Sequence, residues 1–565
     1  MTRPITARLQ LDRDRWLSCE DPILVLRADS PDAVRRTLVD VEHLTRDRGL
    51  HAVGFLTFEA ASAFGLPVGE LDPRVPCAWF GLFEPRMVRE VGVPERAGAY
   101  RVSDLTPSLD AAAFSRAFAR IKEHLAEGNS YQVNFTLQLT GRFEGDAASL
   151  FADLTEAQRG SYGAYIDLGD VVVASASPEL FFAFEGLDVV TRPMKGTARR
   201  GLTLDEDRAI GAALAASEKE RAENVMVVDM FRNDLGRVAE VGSVTVPRLF
   251  SVERYPNVWQ MTSDVRARSM APLEEVFAAL FPSASVTGAP KRRTMEILQE
   301  LEGRPRGLYT GAIGYVPPDG LARFNVAIRT ALIDRARGAI SFGVGSGVVW
   351  DSNAESEYAE CLLKGSVLTS RPEAFSLLET MRWTPGEGCL LVERHLARLE
   401  SAAEYFGVPV DRAAVLGVLD ALSGDVPLRV RLLVSQRGEV TLQTVPFVAV
   451  GGPLRVCLSA SPIDDQDPFL YHKTTRRLVY ESARAEAPDA DDVLLWNVRG
   501  ELTEATTANV MVEVDGERVT PPISSGVLAG TFRAELFEKG EVRERVVSRD
   551  DLHRATGLWL MNSVQ

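Results

Sequence analysis

Residues 220–234 read Glu220-Arg221-Ala222-Glu223-Asn224-Val225-Met226-Val227-Val228-Asp229-Met230-Phe231-Arg232-Asn233-Asp234, and a second stretch, Glu357-Tyr358-Ala359-Glu360, repeats the leading pattern. In each stretch two glutamates are three residues apart, so on a helix they share one face. Four carboxylates gathered together repel one another unless a cation lies between them, and Mg2+ prefers oxygen ligands and bound water. Taken alone, each pair is a solvated helix face, and only further motifs favour a metal site.

A lysine lies on a tight turn upstream, in Arg192-Pro193-Met194-Lys195-Gly196-Thr197. A Pro-X step before the lysine and a glycine after it hold the backbone in a defined bend. Lysine acts as a covalent nucleophile where burial or a nearby cation lowers its pKa. Without that context, Lys195 is simply a lysine on a surface turn.

A third motif, Thr287-Gly288-Ala289-Pro290-Lys291, places small residues before a predicted helix start. Free backbone N–H groups and the positive end of the helix dipole suit a carboxylate or a phosphate. An ordinary helix cap explains the same residues equally well. Arg329 lies in a strand-like stretch, where a guanidinium could bind a carboxylate through two hydrogen bonds.

Together these motifs resemble the chorismate-binding enzymes, which include anthranilate synthase component I, isochorismate and salicylate synthases and aminodeoxychorismate synthase component I. The resemblance covers residues from about 100 to 368. It is carried by the following ordered stretches: Tyr131-Gln132-Val133-Asn134, Ser177-Pro178-Glu179, Pro193 to Thr197, Glu220 to Arg237, Thr287 to Lys291, Tyr309-Thr310-Gly311-Ala312-Ile313-Gly314 and Asp351 to Lys364. The segment before residue 100 is poorly matched.

This resemblance implies an α+β fold with large, mostly antiparallel sheets and helices around a buried site. It implies Mg2+ bound by Glu220, Glu223, Glu357 and Glu360. It also implies that chorismate, through its carboxylates and ring, is bound by a set of residues spread along the domain: Arg329, Thr287, Gly288, Ala289, Lys364, Tyr309 and Gly311.

Within the family, Lys195 is the discriminating residue. At this turn anthranilate synthases carry a sequence similar to Pro-Ile-Ala-Gly-Thr, whereas aminodeoxychorismate synthases carry Pro-Ile-Lys-Gly-Thr. The implied chemistry is attack of Lys195 on the diene ring with loss of the C4 hydroxyl, followed by addition of ammonia at C4 and release of the lysine. Glu179 matches the family's general acid, which requires a pKa raised by burial. Gln260 lies at a position where sequences that resemble anthranilate synthases carry a histidine.

The C-terminal third of the chain carries a different set of polar residues. Pyridoxal phosphate needs a lysine for its Schiff base, an acid for its ring nitrogen and donors for its phosphate. Lys473, Glu504, and Arg398 with Gly530-Thr531 could supply these groups. Singly, they are a surface lysine, a turn carboxylate and a solvated helix arginine.

Collectively, residues 375–565 resemble fold-type IV pyridoxal-phosphate enzymes, the group of branched-chain aminotransferases, D-amino-acid transaminases and aminodeoxychorismate lyases. This resemblance implies that Lys473 is the Schiff-base lysine and the catalytic base, and that Glu504 faces the ring nitrogen. It implies a phosphate site formed by a short set of residues: Arg398, Thr506, Thr507, Gly530 and Thr531. Relatives of this group are often dimers, so a homodimer through this domain is an open expectation. Relatives usually continue past Asn562-Ser563, so a shortened last strand is expected.

The small-domain motifs do not separate a transaminase from a lyase, but the fusion does. 4-Amino-4-deoxychorismate carries a C4 amine, and elimination of its enolpyruvyl group gives pyruvate and 4-aminobenzoate, a folate precursor. Two alternatives remain: an anthranilate-type synthase fused to a transaminase, and a degenerate subunit that recruits an amidotransferase. The chain shows no glutamine amidotransferase region, so ammonia from glutamine requires a separate subunit.

Composition narrows the function classes. The chain has 565 residues, 45% of them hydrophobic and 25% charged, which is typical of globular proteins of two or more domains. A net charge of −16 makes nucleic acid an unsuitable partner. Five scattered cysteines favour a reducing cytoplasm rather than a disulfide framework. Residues 1–4 lack an apolar signal core, and no apolar run reaches the roughly 20 residues of a membrane span.

Local patterns predict several elements and one boundary. Phe114, Phe118, Ile121 and Leu125 recur at helical spacing. Residues 171–184 read as strand, 428–434 as a half-buried strand, and 392–406 as a helix that stops at Gly407. The stretch from Ser366 to Pro372 reads as a linker. The predicted domains are therefore 1–368 and 369–565.

Overall fold

A computed structural model describes residues 4–371 and 373–565. The expectation drawn from the first four residues falls mostly on residues 1–3, which lie outside these ranges, as does Pro372 at the end of the predicted linker. The chain forms two compact units. The large unit comprises Met1–Arg199 and Gly211–Pro372, and the small unit comprises Arg200–Ile210 and Glu373–Gln565.

The first eight helices follow the chain up to the linker. They are α1 Pro31–Arg48, α2 Ala111–Ala126, α3 Ala147–Gln158, α4 Leu204–Ala216, α5 Glu218–Gly236, α6 Leu273–Leu280, α7 Lys291–Glu302 and α8 Ala354–Gly365. Helix α4 starts in the small unit's Arg200–Ile210 segment and continues into the large unit.

Among the described residues, twenty strands belong to the large unit. They are β1 Thr6–Gln10, β2 Trp16–Glu20, β3 Leu24–Ala28, β4 His51–Leu56, β5 Ala78–Phe83, β6 Val88–Val91, β7 Tyr100–Pro107, β8 Gln132–Gly145, β9 Tyr162–Asp167, β10 Val171–Ser177, β11 Leu180–Glu185, β12 Asp188–Arg192, β13 Met194–Arg199, β14 Thr245–Arg254, β15 Val258–Arg268, β16 Gly288–Ala289, β17 Ala312–Val316, β18 Arg323–Val326, β19 Thr330–Asp334 and β20 Ala339–Val348.

These strands form two ten-stranded antiparallel sheets. One has the order β16-β8-β20-β19-β10-β9-β1-β2-β6, with β7 beside β8; the other has the order β13-β15-β12-β11-β18-β17-β4-β5-β3, with β14 beside β15. Buried side chains of both sheets, such as Phe55 and Ile166, share one core cluster, so the sheets face each other. Helices α1, α5 and α6 cover one outer face, and α2, α3 and α8 cover the other. The expected α+β fold with mostly antiparallel sheets is confirmed.

Within the part of the small unit that the structure describes, there are three smaller sheets and four further α-helices. The helices are α9 Val392–Phe406, α10 Arg412–Asp420, α11 Leu478–Glu486 and α12 Thr531–Glu538. The strands are β21 Ser376–Thr384, β22 Gly388–Cys389, β23 Leu428–Ser435, β24 Val440–Pro446, β25 Val456–Leu458, β26 Asp492–Trp496, β27 Leu502–Ala505, β28 Asn509–Val514, β29 Glu517–Thr520, β30 Arg543–Glu544 and β31 Gly557–Met561. Sheet β22-β21-β23-β24 packs on α9 and α10.

Most local predictions are confirmed. Helix α2 buries Phe114, Phe118 and Ile121, and α9 ends at Gly407 in the left-handed conformation with φ 67°. The single strand predicted over 171–184 is wrong, because Pro178-Glu179 divides it into β10 and β11. No helix among the described residues is long and apolar enough to cross a bilayer.

Candidate functional site

Strand β20 carries glycine at alternate positions, Gly343, Gly345 and Gly347, so all three lie on one face. A Cβ built on Gly343 would lie 2.1 Å from the ring of Tyr309, and one on Gly347 would lie 3.0 Å from Nζ of Lys195. The glycines therefore provide a backbone floor for both residues. This floor was not predicted, although the Gly-X-Gly-X-Gly alternation is visible in the sequence.

The Lys195 turn is fixed by three side chains. Nζ of Lys195 lies 3.4 Å from Oε2 of Glu223. Nδ2 of Asn224 donates to the Lys195 carbonyl at 3.1 Å, and Nε2 of Gln260 donates to the Gly196 carbonyl at 2.8 Å. Gln260, which replaces the histidine of the anthranilate pattern, thus helps to hold the Lys195 turn in place.

The first acidic pair lies against this turn. Gly196 has φ 100°, and a Cβ built on it would lie 3.2 Å from Oε2 of Glu220. Burial raises the pKa of Glu220, and the charge of Glu223 raises it further. A cation beside these carboxylates would relieve both effects. Glu220, Glu223 and Lys195 therefore lie close together around one turn.

The second acidic pair lies on α8 with Lys364. Nζ of Lys364 pairs with Glu360 at 2.6 Å and donates to the Gly345 carbonyl at 2.8 Å. Glu357 lies one turn earlier on α8. Within residues 4–371 and 373–565, no three acidic, histidine or cysteine side chains converge closely enough to hold a metal ion. The donor set, two carboxylate pairs, has the oxygen chemistry that Mg2+ takes.

Two cationic residues, Lys364 and Arg329, lie near Gly345, the middle of the three floor glycines. Nη1 of Arg329 donates to the Lys364 carbonyl at 3.0 Å. Arg329 has a left-handed φ of 52°, an uncommon conformation that marks a constrained position. A Cβ on Gly345 would lie 3.3 Å from the Tyr309 hydroxyl. The structure brings together Arg329, Lys364 and Tyr309, three of the residues predicted to bind substrate.

The small-residue loop behaves differently from the expectation. Gly288 and Ala289 form β16 and pair with Val133 and Gln132 of β8, so they are not the open helix approach that the sequence predicted. Gly288 has φ 147°, and a Cβ on it would lie 2.0 Å from the Gln132 carbonyl oxygen, which leaves room only for glycine.

The flanking residues of this loop are also engaged. The Thr287 hydroxyl donates to the Ser283 carbonyl at 3.0 Å. Lys291, at the start of α7, pairs with Asp234 at 2.7 Å. Gly311 packs tightly, since a Cβ on it would lie 2.1 Å from the Leu56 carbonyl oxygen.

Two polar residues near Lys195 and Glu179 had no role predicted from the sequence, although Gln132 lies in one of the stretches that carry the resemblance. Oε1 of Gln132 is buried and has no hydrogen-bond partner among the described residues. Its Nε2 lies, like Nζ of Lys195, within 3.5 Å of a Cβ built on Gly347. The second, Ser285, donates its hydroxyl to Oε1 of Glu179 at 2.6 Å. No periodic pattern marks either residue.

Glu179 is buried at the break between β10 and β11. Its backbone N–H donates to the Ser177 hydroxyl at 3.2 Å, and its carbonyl accepts from Val326 at 3.1 Å. Burial raises the pKa of Glu179 to about 7, although the Ser285 hydrogen bond acts in the opposite direction. A carboxyl with this pKa can hold a proton near neutral pH, as a general acid must.

Lys473 is the candidate Schiff-base lysine of the small unit. Its carbonyl accepts from the Leu378 N–H of β21 at 3.0 Å. The surrounding protein lowers the pKa of Lys473 to about 8, first by excluding water and then through the charge of Arg398. An amine with this pKa is partly neutral near pH 8, which both Schiff-base formation and proton abstraction require.

Glu504 is buried on β27 with three donors. The Tyr480 hydroxyl and Nδ2 of Asn509 donate to it at 2.7 Å and 2.9 Å, and the Leu528 N–H donates at 3.3 Å. Burial raises the pKa of Glu504 to about 7. The negative charge of Glu504 acts to raise the pKa of Lys473, against the effect of burial. A carboxyl near its pKa is suited to share a proton with a ring nitrogen.

A buried charged triad joins β21 to α9. Glu379 accepts from Nε and Nη2 of Arg398 at 2.9 Å and 2.6 Å, and its Oε2 lies 2.6 Å from Nδ1 of His395. Glu379 was missed by the sequence analysis, although strand alternation places it on the same buried face as Leu377 and Met381. Burial alone would raise the pKa of Glu379, but Arg398 and His395 outweigh it and hold the pKa at about 2.

The start of α12 meets this triad. Nη1 of Arg398 donates to the Ala529 carbonyl at 3.0 Å, and the Thr531 hydroxyl lies 3.4 Å from Nε2 of His395. Gly530 caps α12, and a Cβ on it would lie 1.7 Å from Oδ1 of Asn509. The first N–H groups of a helix have no intrahelical acceptor, so Arg398, Gly530 and Thr531 together fit a phosphate.

Thr506 and Thr507 have other partners. Both hydroxyls donate to Asp492, the Thr507 hydroxyl at 2.6 Å, and the Thr506 N–H donates to Asp492 at 3.0 Å. Their hydroxyl protons therefore serve Asp492. The phosphate donors that the structure offers are those at Arg398 and α12.

The Glu379 triad carries a stability prediction. Glu379→Gln leaves Arg398 buried without its counter-charge, and we expect a loss of about 3 kcal/mol. Because the folded pKa of about 2 lies below the ordinary 4.5, this contribution is complete above about pH 4.5 and is lost as the pH falls toward 2. Urea-dependent hydrogen exchange of peptides from β21 and α9 measures it.

The matched control is Glu393→Gln, also on α9. Glu393 pairs with Arg412 at the surface with its side chain 73% exposed, so its loss should cost less than about 1 kcal/mol. Equal losses in the two variants would contradict the stabilising role of the buried triad.

Two family models match consecutive parts of the chain. The model of the chorismate binding enzyme family matches residues 8–370, and the model of the class IV amino-transferases matches residues 376–565.

Individual relatives match about half of the chain. Aminodeoxychorismate synthase component 1 of Klebsiella aerogenes is 38% identical over 291 residues, 51% of this chain and 62% of that protein. Anthranilate synthase component 1 of Streptomyces coelicolor is 40% identical over 267 residues, 46% of this chain and 52% of that protein. The chain spans only 54% to 62% of several relatives named aminodeoxychorismate synthase component 1.

A solved structure shares the fold. Anthranilate synthase component I from Streptococcus pneumoniae TIGR4 aligns with a TM-score of 0.55 and 24% identity, covering 63% of this chain and 92% of that one. The first family model covers more than half of the chain. The chain therefore belongs to the chorismate-binding enzymes, and a class IV aminotransferase domain forms its C-terminal part.

Proposed function

We propose that this chain converts chorismate and ammonia into 4-amino-4-deoxychorismate and then releases pyruvate to give 4-aminobenzoate. The observation that carries the proposal is Lys195, held on the glycine floor beside Glu223, in the same chain as the buried pair Lys473 and Glu504. Anthranilate synthases lack a lysine at the position of Lys195, which is why the 4-amino product is favoured over anthranilate.

In the first reaction, the amine of Lys195 bonds to the diene ring and the C4 hydroxyl leaves as water with the proton of Glu179. Glu223, 3.4 Å from Nζ, is within reach to take the proton that the lysine must lose. Ammonia then adds at C4, and Lys195 leaves the ring. Arg329 and Lys364 hold the substrate carboxylates, with Tyr309, Gly311 and the Thr287–Ala289 loop around them.

Glu220, Glu223, Glu357 and Glu360 would hold Mg2+, some of them through water. The ion would supply positive charge for a ring carboxylate of the substrate. The raised pKa of Glu220 supports this assignment, because it marks a carboxylate whose charge is poorly compensated by the protein alone.

In the second reaction, Lys473 would hold pyridoxal phosphate and take the C4 proton of the substrate. The cofactor, when bound, withdraws electrons from the carbon that carries the amine. Glu504 would face the ring nitrogen, while Arg398, Gly530 and Thr531 would bind the phosphate, with Thr506 and Thr507 in its surroundings. The enolpyruvyl group leaves as pyruvate, and the ring becomes aromatic.

The partners follow from the chemistry. We propose that a separate glutamine amidotransferase subunit supplies ammonia, which the designation "component 1" of the relatives supports. A homodimer through the small unit, a cytoplasmic location and the absence of nucleic-acid and membrane partners belong to the same proposal. The charge of −16 supports the exclusion of nucleic acid.

Product analysis tests the whole scheme. The purified chain receives chorismate, Mg2+, pyridoxal phosphate and excess ammonium, and products are resolved by chromatography and mass spectrometry. Joint appearance of 4-aminobenzoate and pyruvate is expected. Accumulated 4-amino-4-deoxychorismate would overturn the lyase role and anthranilate the synthase role. Untouched chorismate with and without an amidotransferase partner would favour a degenerate recruiting subunit.

A pH prediction follows from Ser285. Its hydroxyl stabilises the charged form of Glu179, so Ser285→Ala should raise the pKa of Glu179 above about 7. Because the acid must be protonated, activity should persist to higher pH, with the alkaline limb moved up by about one unit. The measurement is chorismate consumption against pH at a fixed concentration of free ammonia.

Ser283→Ala is the matched control. The Ser283 hydroxyl touches Ser285 at 2.8 Å and not Glu179, so its alkaline limb should shift much less. A limb that stays in place or moves down in Ser285→Ala would remove Glu179 from the role of general acid.

A further inference from the structure

The Arg200–Ile210 segment begins directly after β13, the strand that carries Lys195, yet it belongs to the small unit. Its loop is closed by an ion pair, since Nε of Arg200 lies 2.7 Å from Oδ1 of Asp207. The Gly201 N–H donates to the same carboxylate at 2.9 Å. A Cβ on Gly201 would lie 2.2 Å from the Asp207 nitrogen, so this tight loop requires glycine.

The segment contacts the C-terminal end of α9. The Tyr405 hydroxyl donates to the Gly201 carbonyl at 2.8 Å, and the guanidinium of Arg200 lies 4.5 Å from the centre of the Tyr405 ring. Helix α9 also carries Arg398 of the phosphate site. The segment is thereby attached to the helix that would position the cofactor phosphate.

The segment also contacts the residue before Lys473. Nε2 of His472 donates to the Leu202 carbonyl at 3.1 Å, and the His472 ring stacks on Tyr405 with 4.0 Å between centroids. Burial lowers the pKa of His472 to about 4, so the ring is neutral and its tautomer is set by the Leu202 carbonyl. Leu202 and Tyr471 join the same apolar cluster.

We propose that His472 is a positioning residue for Lys473, and that the Leu202 carbonyl, supplied by the Arg200–Ile210 segment, fixes it. The inference rests on the proposed function of the small unit. The backbone carbonyl of Lys473 is held by β21, and the side chain of the residue before it is held by the Leu202 carbonyl. A released His472 would let the Lys473 amine move toward water, and its pKa would rise toward the ordinary value.

The charges around these two residues define what such a movement changes. Lys473 faces the charges of Arg398, Glu379, Arg477 and Glu504. His472 faces Arg200 and Asp207, which neutralise each other in the segment. The response to a lost His472–Leu202 bond should therefore come from the position of Lys473 and not from a new charge beside it.

The experiment uses the full chain reconstituted with pyridoxal phosphate. His472→Phe retains a ring that can stack on Tyr405 and removes the Nε2 donor, whereas His472→Gln retains a donor and removes the ring. Tyr471→Phe is the matched control, because it loses a buried hydroxyl bond to the Asp465 carbonyl of 2.8 Å beside the same loop. Cofactor affinity, the pH midpoint of the visible absorbance band and the melting temperature are measured for each variant.

In His472→Phe the cofactor dissociation constant should rise about fivefold and the pH midpoint should rise by about half a unit. In His472→Gln and Tyr471→Phe both quantities should stay within about twofold and 0.2 units of the wild type, even where melting is lowered. A His472→Phe protein that matches Tyr471→Phe in affinity and midpoint overturns the inference. A wild-type chain without a visible band and without borohydride trapping at Lys473 overturns the cofactor site itself, and the inference with it.

Discussion

Lys195→Ala is expected to lower the formation of 4-amino-4-deoxychorismate by about a thousandfold or more, because the covalent route through the lysine amine is closed. The small unit should be unaffected and should still convert supplied 4-amino-4-deoxychorismate to 4-aminobenzoate. The measurement is the rate of each half-reaction with its own substrate. Retained synthesis of 4-aminobenzoate from chorismate at the wild-type rate would remove Lys195 from the nucleophile role.

Lys195→Arg separates nucleophile from cation. The guanidinium preserves a positive charge opposite Glu223 but stays protonated and does not attack. We expect it to be as inactive as the alanine variant. An active arginine variant would assign an electrostatic role to the residue. In the wild type without ammonia, the peptide containing Lys195 should gain the mass of chorismate less one water.

Lys473→Ala should give the second large effect. Synthesis of 4-aminobenzoate should fall by about a thousandfold or more while 4-amino-4-deoxychorismate accumulates, since base and cofactor anchor are lost together. Chromatographic analysis of the products from chorismate and ammonium measures both outcomes. Unchanged 4-aminobenzoate output would exclude Lys473 from the mechanism.

Small primary amines provide the control for the Lys473 variant. An added amine can replace the missing Nζ in solution, so millimolar methylamine should restore part of the lost activity to Lys473→Ala. Lys539→Ala is the matched surface variant, because its ammonium pairs with Glu535 in solvent, and it should behave as the wild type. If methylamine increased the rate of 4-aminobenzoate formation by the same amount in both variants, the amine would be reacting outside the site.

Those parts of the fold that depend on local patterns were predictable from the sequence. Helix α2 follows from the spacing of Phe114, Phe118 and Ile121, and α9 ends where Gly407 can adopt a left-handed conformation. The interruption between β10 and β11 was not, because a Pro-Glu step within an apolar run can end a strand or lie in a bulge. The pairing of sheets over hundreds of residues leaves no local trace.

The candidate sites divide in the same way. Residues inside a dense motif, such as Lys195, were identified, and the structure places Lys195 beside Glu223, with Glu220 against the same turn. Supporting residues were missed where the contact is long-range: Ser285 is 106 positions from Glu179. Glu379 was accessible in principle, since a charged residue on the buried face of a strand requires a partner.

The origin of one segment of the small unit has a consequence for biosynthesis. The Leu202 carbonyl and His472 are 270 positions apart in the chain. At translation rates of about 5–20 residues per second, the ribosome adds the second partner roughly 15 to 50 s after the first. During that interval the apolar side chain of Leu202 has no finished core to enter, so it stays exposed on the nascent chain. A gene split at the linker would yield a second product that lacks part of its own interior.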